Sequence, residues 1–172
     1  MKKILLLIYF SLMFLGANGQ SNNYFGSIII PKNEYIIRLA GTNFYWGVNK
    51  FNKNELILEN GVKLSGKFMF IPAGDGFYFI KYQLNGNYVN VGNSKINHDN
   101  FLKITEPIRS NEQKFKVVCK DSKGFKFISV DNQAIECIDE RTNGLKLKLM
   151  NDYSTKNQTF EILEAESKKT LN

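Results

Sequence analysis

Histidine, cysteine and paired carboxylates build most hydrolytic and metal sites, and this 172-residue chain offers few of them. His98 is the single histidine and lies in the polar run Asn97-His98-Asp99-Asn100, which reads as a surface loop. A metal site requires further His or Cys at ligand spacing, and Cys119 and Cys137 are not so placed. No Gly-x-Ser-x-Gly nucleophile elbow occurs, while a Ser–His–Asp triad gathered from distant segments stays open. Asp139 and Glu140 are neighbours, so on a strand they face opposite sides and form no acid–base pair without a bend. Gly74-Asp75-Gly76 precedes a strand rather than a helix and cradles no phosphate. The expectation is a non-enzyme with no catalytic residues, no metal and no cofactor. Sugar recognition asks for less: a ring to meet the C–H face of a pyranose, and Asp, Asn or Gln to pair with its hydroxyls.

Those groups must be positioned by something, and the chain repeats itself. Gly66-Lys67-Phe68, Gln113-Lys114-Phe115 and Gln158-Thr159-Phe160 open three similar apolar stretches, with the phenylalanines 47 and 45 residues apart. Periods of this size mark supersecondary units that must share a core. Within each unit four short strands follow, aligned on Ile37, Ile80 and Ile128, then Val48, Val91 and Ile138. Leu58, Ile104 and Leu149 mark the third strand, and Phe68, Phe115 and Phe160 the fourth. Gly41-Thr42-Asn43, Asn85-Gly86-Asn87 and Asp131-Asn132-Gln133 supply turns between the first two strands. Alternation such as Leu145, Leu147, Leu149 against Lys146, Lys148, Met150 indicates β structure throughout. Three units are too few to close a propeller.

The chain begins with Lys2 and Lys3, an apolar run from Ile4 to Leu15, and small residues at Gly16, Ala17 and Gly19. That pattern predicts a signal peptide over 1–19; the run is too short for a bilayer, which takes about 20 residues. A leader over 20–32, one domain over 33–164 and a polar tail over 165–172 complete the expected organisation, with no transmembrane segment in the mature chain. Localisation is then secreted or periplasmic. Export makes a Cys119–Cys137 disulfide chemically available, worth about 3 kcal/mol through loop closure; two free buried thiols are the alternative. The formal charge is +7, spread over lysines that alternate with apolar residues, as on a solvated sheet face. A polyanion-binding module would need them gathered on one side. No specific nucleic-acid partner is indicated.

Twelve strands in three units, with repeats ending Gln113-Lys114-Phe115 and Gln158-Thr159-Phe160, resemble the ricin B-type lectin-like β-trefoil family. The resemblance covers about Asn33 to Glu164, and Gly66 departs from it where Gln is expected. It implies an all-β fold, a β-trefoil of three four-stranded repeats with pseudo-threefold symmetry. It also implies a glycan or cell-surface glycoconjugate as partner. The family's pattern transfers best to the third repeat, as Asp139 and Asn157-Gln158, with Tyr153 as the nearest platform. In the second repeat Asn111 and Gln113 remain, but Gly92 stands in place of the acid. Trp46 is either core or a sugar platform. A protein-binding trefoil of protease-inhibitor or adhesin type is the rival, for which the long Val91–Phe101 loop would serve.

Overall fold

The computed structural model describes residues 29, 31, 33–49, 51, 55–92, 101–121, 124–140 and 144–165. The signal peptide, leader and tail expected from sequence lie almost wholly outside them, as does His98. The first repeat comprises β1 (Tyr35–Leu39), β2 (Phe44–Val48), β3 (Leu56–Asn60) and β4 (Phe68–Gly74). The second comprises β5 (Phe77–Tyr82), β6 (Tyr88–Val91), β7 (Leu102–Thr105) and β8 (Lys114–Cys119). The third comprises β9 (Phe125–Ser129), β10 (Gln133–Glu140), β11 (Gly144–Asn151) and β12 (Phe160–Glu164).

The first and fourth strands of each repeat close a ring. β1 pairs with β4, β4 with β5, β5 with β8, β8 with β9, β9 with β12, and β12 returns to β1. Closure removes every free edge from this six-stranded barrel. The second and third strands form the hairpins β2–β3, β6–β7 and β10–β11. Their third strands meet in a triangle through Lys146↔Ile57, Glu55↔Lys103 and Phe101↔Lys148. Lys146 Nζ closes one side on Glu55 Oε1 at 3.0 Å and stands 4.8 Å from the Phe101 ring.

Phe68, Phe115 and Phe160 are fully buried at equivalent barrel positions, each opposite Tyr35, Tyr78 or Phe125. Trp46 lies in the core and not on the surface. Its ring packs against Phe68, Phe127 and Phe160 with centroids 5.7, 4.9 and 5.6 Å away. Val89 and Ile135 occupy the matching position in the other hairpins, so the largest ring of one repeat compensates for two small side chains. Truncating an aromatic at such a centre costs about 3–5 kcal/mol.

The third repeat corrects the register read from sequence. Arg38 pairs with Tyr45 and Lys81 with Tyr88, seven residues on, whereas Ile128 pairs with Ala134, only six on. The β9–β10 turn is therefore one residue shorter than its counterparts. With period two, a slip of one exchanges the faces of a strand. Phe127, and not Ile128, is the buried equivalent of Ile37 and Ile80, and Cys137, and not Ile138, matches Val48 and Val91.

No Cys119–Cys137 disulfide is formed: both thiols are free, as the alternative reading has them, but only Cys137 is buried. Cys119 is exposed at the end of β8, where its Sγ donates to the Asp121 carbonyl at 2.9 Å. Cys137 faces the hydrophobic core from a cap hairpin. Burial, followed by the neighbouring Asp139 and Glu136 charges, pushes its thiol up to about 11.

Candidate functional site

In each repeat the chain must return from the third strand to the fourth across the waist of the molecule. In the second and third repeats a buried glutamine organises that return. Gln158 is fully buried: its Nε2 donates to the Asn151 carbonyl at 2.7 Å and to Glu136 Oε2 at 2.9 Å. Its Oε1 accepts from the backbone N–H of Tyr153 at 3.0 Å and of Thr155 at 3.4 Å. Gln113 repeats the arrangement, donating to the Glu106 carbonyl at 2.7 Å and Thr105 Oγ1 at 3.0 Å, and accepting from Arg109 N at 2.8 Å. Both loops contain a non-glycine residue with positive φ, Arg109 at 56° and Ser154 at 53°. That conformation costs roughly 1–2 kcal/mol, which the glutamine bonds offset.

A glutamine of the Gln-x-Phe pattern either contacts a ligand or bonds backbone inside the trefoil, and these bonds select the second role for Gln113 and Gln158 over the first. Each amide is spent inside the protein, so the two act as braces. The missing third glutamine has a steric cause. Gly66 holds its place, and a Cβ there would come within 2.9 Å of the Tyr82 ring and 3.0 Å of the Phe68 ring.

Asp139 sits near the hairpin's outer end, exposed and paired with Leu145. The residue after the buried Ile135 is Glu136, and its counterparts after Trp46 and Val89 are Gly47 and Asn90. Glu136 is half-buried, and Gln158 is its single hydrogen-bonding partner among the described residues. Its other oxygen, Oε1, has no hydrogen-bonding partner among the described residues. Sequence reasoning missed Glu136; aligning the hairpins on Trp46, Val89 and Ile135 is the signal that finds it. Directly across the hairpin stands Lys148, whose Nζ is 5.3 Å from the Phe101 ring.

The remaining candidates divide between two places. Tyr153 crests the third-repeat loop with 66% of its surface exposed, and its hydroxyl accepts from Asn151 Nδ2 at 3.1 Å. Asn157 is exposed on the 3-10 turn Lys156–Gln158 beside it. Asn111 belongs to the second-repeat turn Asn111–Gln113, where it is exposed and accepts from Lys114 Nζ at 3.1 Å. The true counterpart of Asn157 there is Glu112. The structure thus brings Glu136, Tyr153 and Asn157 to one loop and hairpin, and leaves Asp139 and Asn111 apart from them.

Two lysines hold the third-repeat loop from outside. Lys120 Nζ donates to the Ser154 carbonyl at 2.8 Å and Thr159 Oγ1 at 3.0 Å. Lys126 Nζ bonds Asp152 Oδ2 at 2.6 Å and Ser154 Oγ at 3.2 Å. The Lys126 hydrogen bond holds the Asp152 carboxyl below its ordinary range. Elsewhere Lys67 is paired with Glu34, and Lys116 lies over the Phe77 ring. Much of the basic charge therefore has local work. Among the described residues no group of three or more His, Cys, Asp or Glu is placed to hold a metal, and no helix is long and apolar enough to cross a membrane.

No family model and no curated protein matches the chain. Solved structures do. ThreeFoil, a designed threefold-symmetric protein, superposes with a TM-score of 0.65 at 13% identity, over 77% of this chain and 99% of that one. The BEL β-trefoil gives 0.66 at 14% identity, over 83% and 99%. This chain has a β-trefoil fold. An exo-β-1,3-galactanase from Clostridium thermocellum superposes with a TM-score of 0.66 at 15% identity, over 80% of this chain and 31% of that one. At such identities the likeness carries the fold alone, and what a trefoil binds is decided by the side chains that its loops present.

Proposed function

We propose that this trefoil is a secreted, non-enzymatic carbohydrate-binding module whose site lies in the third repeat. The observation that carries the reading is the half-buried Glu136 carboxylate, fixed on one oxygen by a buried amide. A carboxylate so held accepts from two adjacent sugar hydroxyls without paying to order itself. Asn157 adds an amide, and Tyr153 offers a ring on a loop already braced by Gln158, Lys120 and Lys126. A glycan or cell-surface glycoconjugate is the partner. The galactanase above and a GlcNAcα1-4Gal-releasing endo-β-galactosidase from Clostridium perfringens, of which this chain matches 33%, recommend galactose- and N-acetylglucosamine-containing ligands as first probes. The polyanion alternative is disfavoured because Lys67, Lys120 and Lys126 are engaged by local partners.

A glycan array probed with the exported chain tests this. Binding to galactose- or N-acetylglucosamine-containing glycans that persists at high salt is expected. Absence of binding to every neutral glycan, or binding only to sulfated ones with loss on raising salt, would overturn it.

A further inference from the structure

Where the second repeat meets the third, the surface folds inward to form a cleft of about 250 Å³. Its inner part holds the half-buried Val91 at the end of β6 and the buried Leu149 on β11, beside Ser129 and Val130. Its outer part is polar: Asn111 and Glu112 on one wall, Asp131 and Gln133 on the other.

Both walls are preformed. The Gln113 brace holds the first through its bonds to Glu106, Thr105 and Arg109. The second is a tight turn in which Asn132, at φ 59°, donates its N–H to the Ser129 carbonyl at 3.1 Å. Gln133 N–H adds a bond to the buried Ser129 hydroxyl at 3.2 Å. The polar groups are not imposed by the fold. At the junction of the third repeat with the first, Asn157 and Gly41 occupy the positions of Glu112 and Asp131.

An aliphatic floor under converging carboxylates and amides matches one face of a hexose. C–H groups rest on Val91 and Leu149, while hydroxyls donate to Glu112 and Asp131 and exchange bonds with Asn111 and Gln133. Pockets for drug-sized ligands run from about 300 Å³ upward, so this volume suits a single ring. We propose that the cleft is a second monosaccharide site, independent of the one at Glu136, which would make the module bivalent along a branched or repeating glycan.

The test is a backbone-amide NMR titration of the full exported chain with methyl galactoside, N-acetylglucosamine and glucosamine. The expected result is saturable shifts at Val91, Asn111, Glu112 and Gln133 with a neutral sugar. They should persist in Glu136→Ala and weaken about tenfold or more in the double variant Glu112→Ala/Asp131→Ala. Both substituted residues are exposed, so the variant spectrum is expected to keep its dispersion; if it does not, the wild-type shift map decides. No saturable shift at these four residues with either neutral sugar overturns the proposal. So does a response to glucosamine alone, which would make the cleft a cation site. Cleft shifts without any response around Glu136 and Tyr153 would sustain this inference and remove the third-repeat reading instead.

Discussion

The return loops of the second and third repeats share one device and differ in everything attached to it. Each is folded around a buried glutamine that bonds the carbonyl seven residues upstream. In the second repeat the amide's other proton goes to the Thr105 hydroxyl, and the loop crest is Ile108, 67% exposed. In the third the same proton goes to the Glu136 carboxylate, the crest is Tyr153, and two lysines from β9 and the β8–β9 turn pin the loop outside. The brace belongs to the fold. A structural amide becomes part of a site only where it ends on an ionised group with an oxygen to spare.

The largest effect expected from breaking this comparison is on stability. Gln158→Ala removes the donor to the Asn151 carbonyl and the acceptor of two backbone N–H groups, and should cost about 3 kcal/mol or more by denaturant unfolding. Gln113→Ala should cost somewhat less, having fewer backbone partners, and a loss below about 1 kcal/mol for either would end the brace account. Restoring symmetry should fail in the first repeat: Gly66→Gln forces a side chain against Tyr82 and should destabilise by about 1–3 kcal/mol. Gain of stability there would show that steric room is not why the glutamine is missing.

Smaller effects sharpen the contrast. The Lys126–Asp152 pair is near the surface and worth about 0–1 kcal/mol. Because the folded Asp152 carboxyl lies below its ordinary value, this contribution is present above the ordinary carboxylate range and is lost as pH falls through it. Thermal unfolding of wild type and Lys126→Met should therefore differ at neutral pH and converge in acid. Smallest is Cys137→Val, which copies Val48 and Val91 and should change stability by less than about 1 kcal/mol. In a thiol-labelling assay at neutral pH, Cys119 should react at once and Cys137 only on unfolding.

The barrel was legible because Phe68, Phe115 and Phe160 recur at nearly constant spacing and each is buried at an equivalent place. The third repeat's register was not, because one residue is missing from the Asp131–Gln133 turn and both Phe127 and Ile128 are apolar. That single slip moved the expected core from Phe127 to Ile128. In the same hairpin the expected acid was placed at Asp139, three residues beyond Glu136. Burial of Trp46 was equally open, since its neighbours Tyr45 and Gly47 fit either a core strand or a sugar platform. Internal bonding by Gln113 and Gln158 was legible from the Gln-x-Phe pattern, but their partners were not, because these depend on loop conformations with positive φ at Arg109 and Ser154.

Isothermal titration of the strongest array ligand into Glu136→Ala and Asp139→Ala, side by side with wild type, tests the central claim most directly. Loss of a hydrogen-bonding carboxylate from the site should weaken affinity about tenfold or more in Glu136→Ala, while Asp139→Ala binds as wild type does. Unchanged affinity in Glu136→Ala, with loss in Asp139→Ala, would contradict it and move the site to the hairpin's outer end.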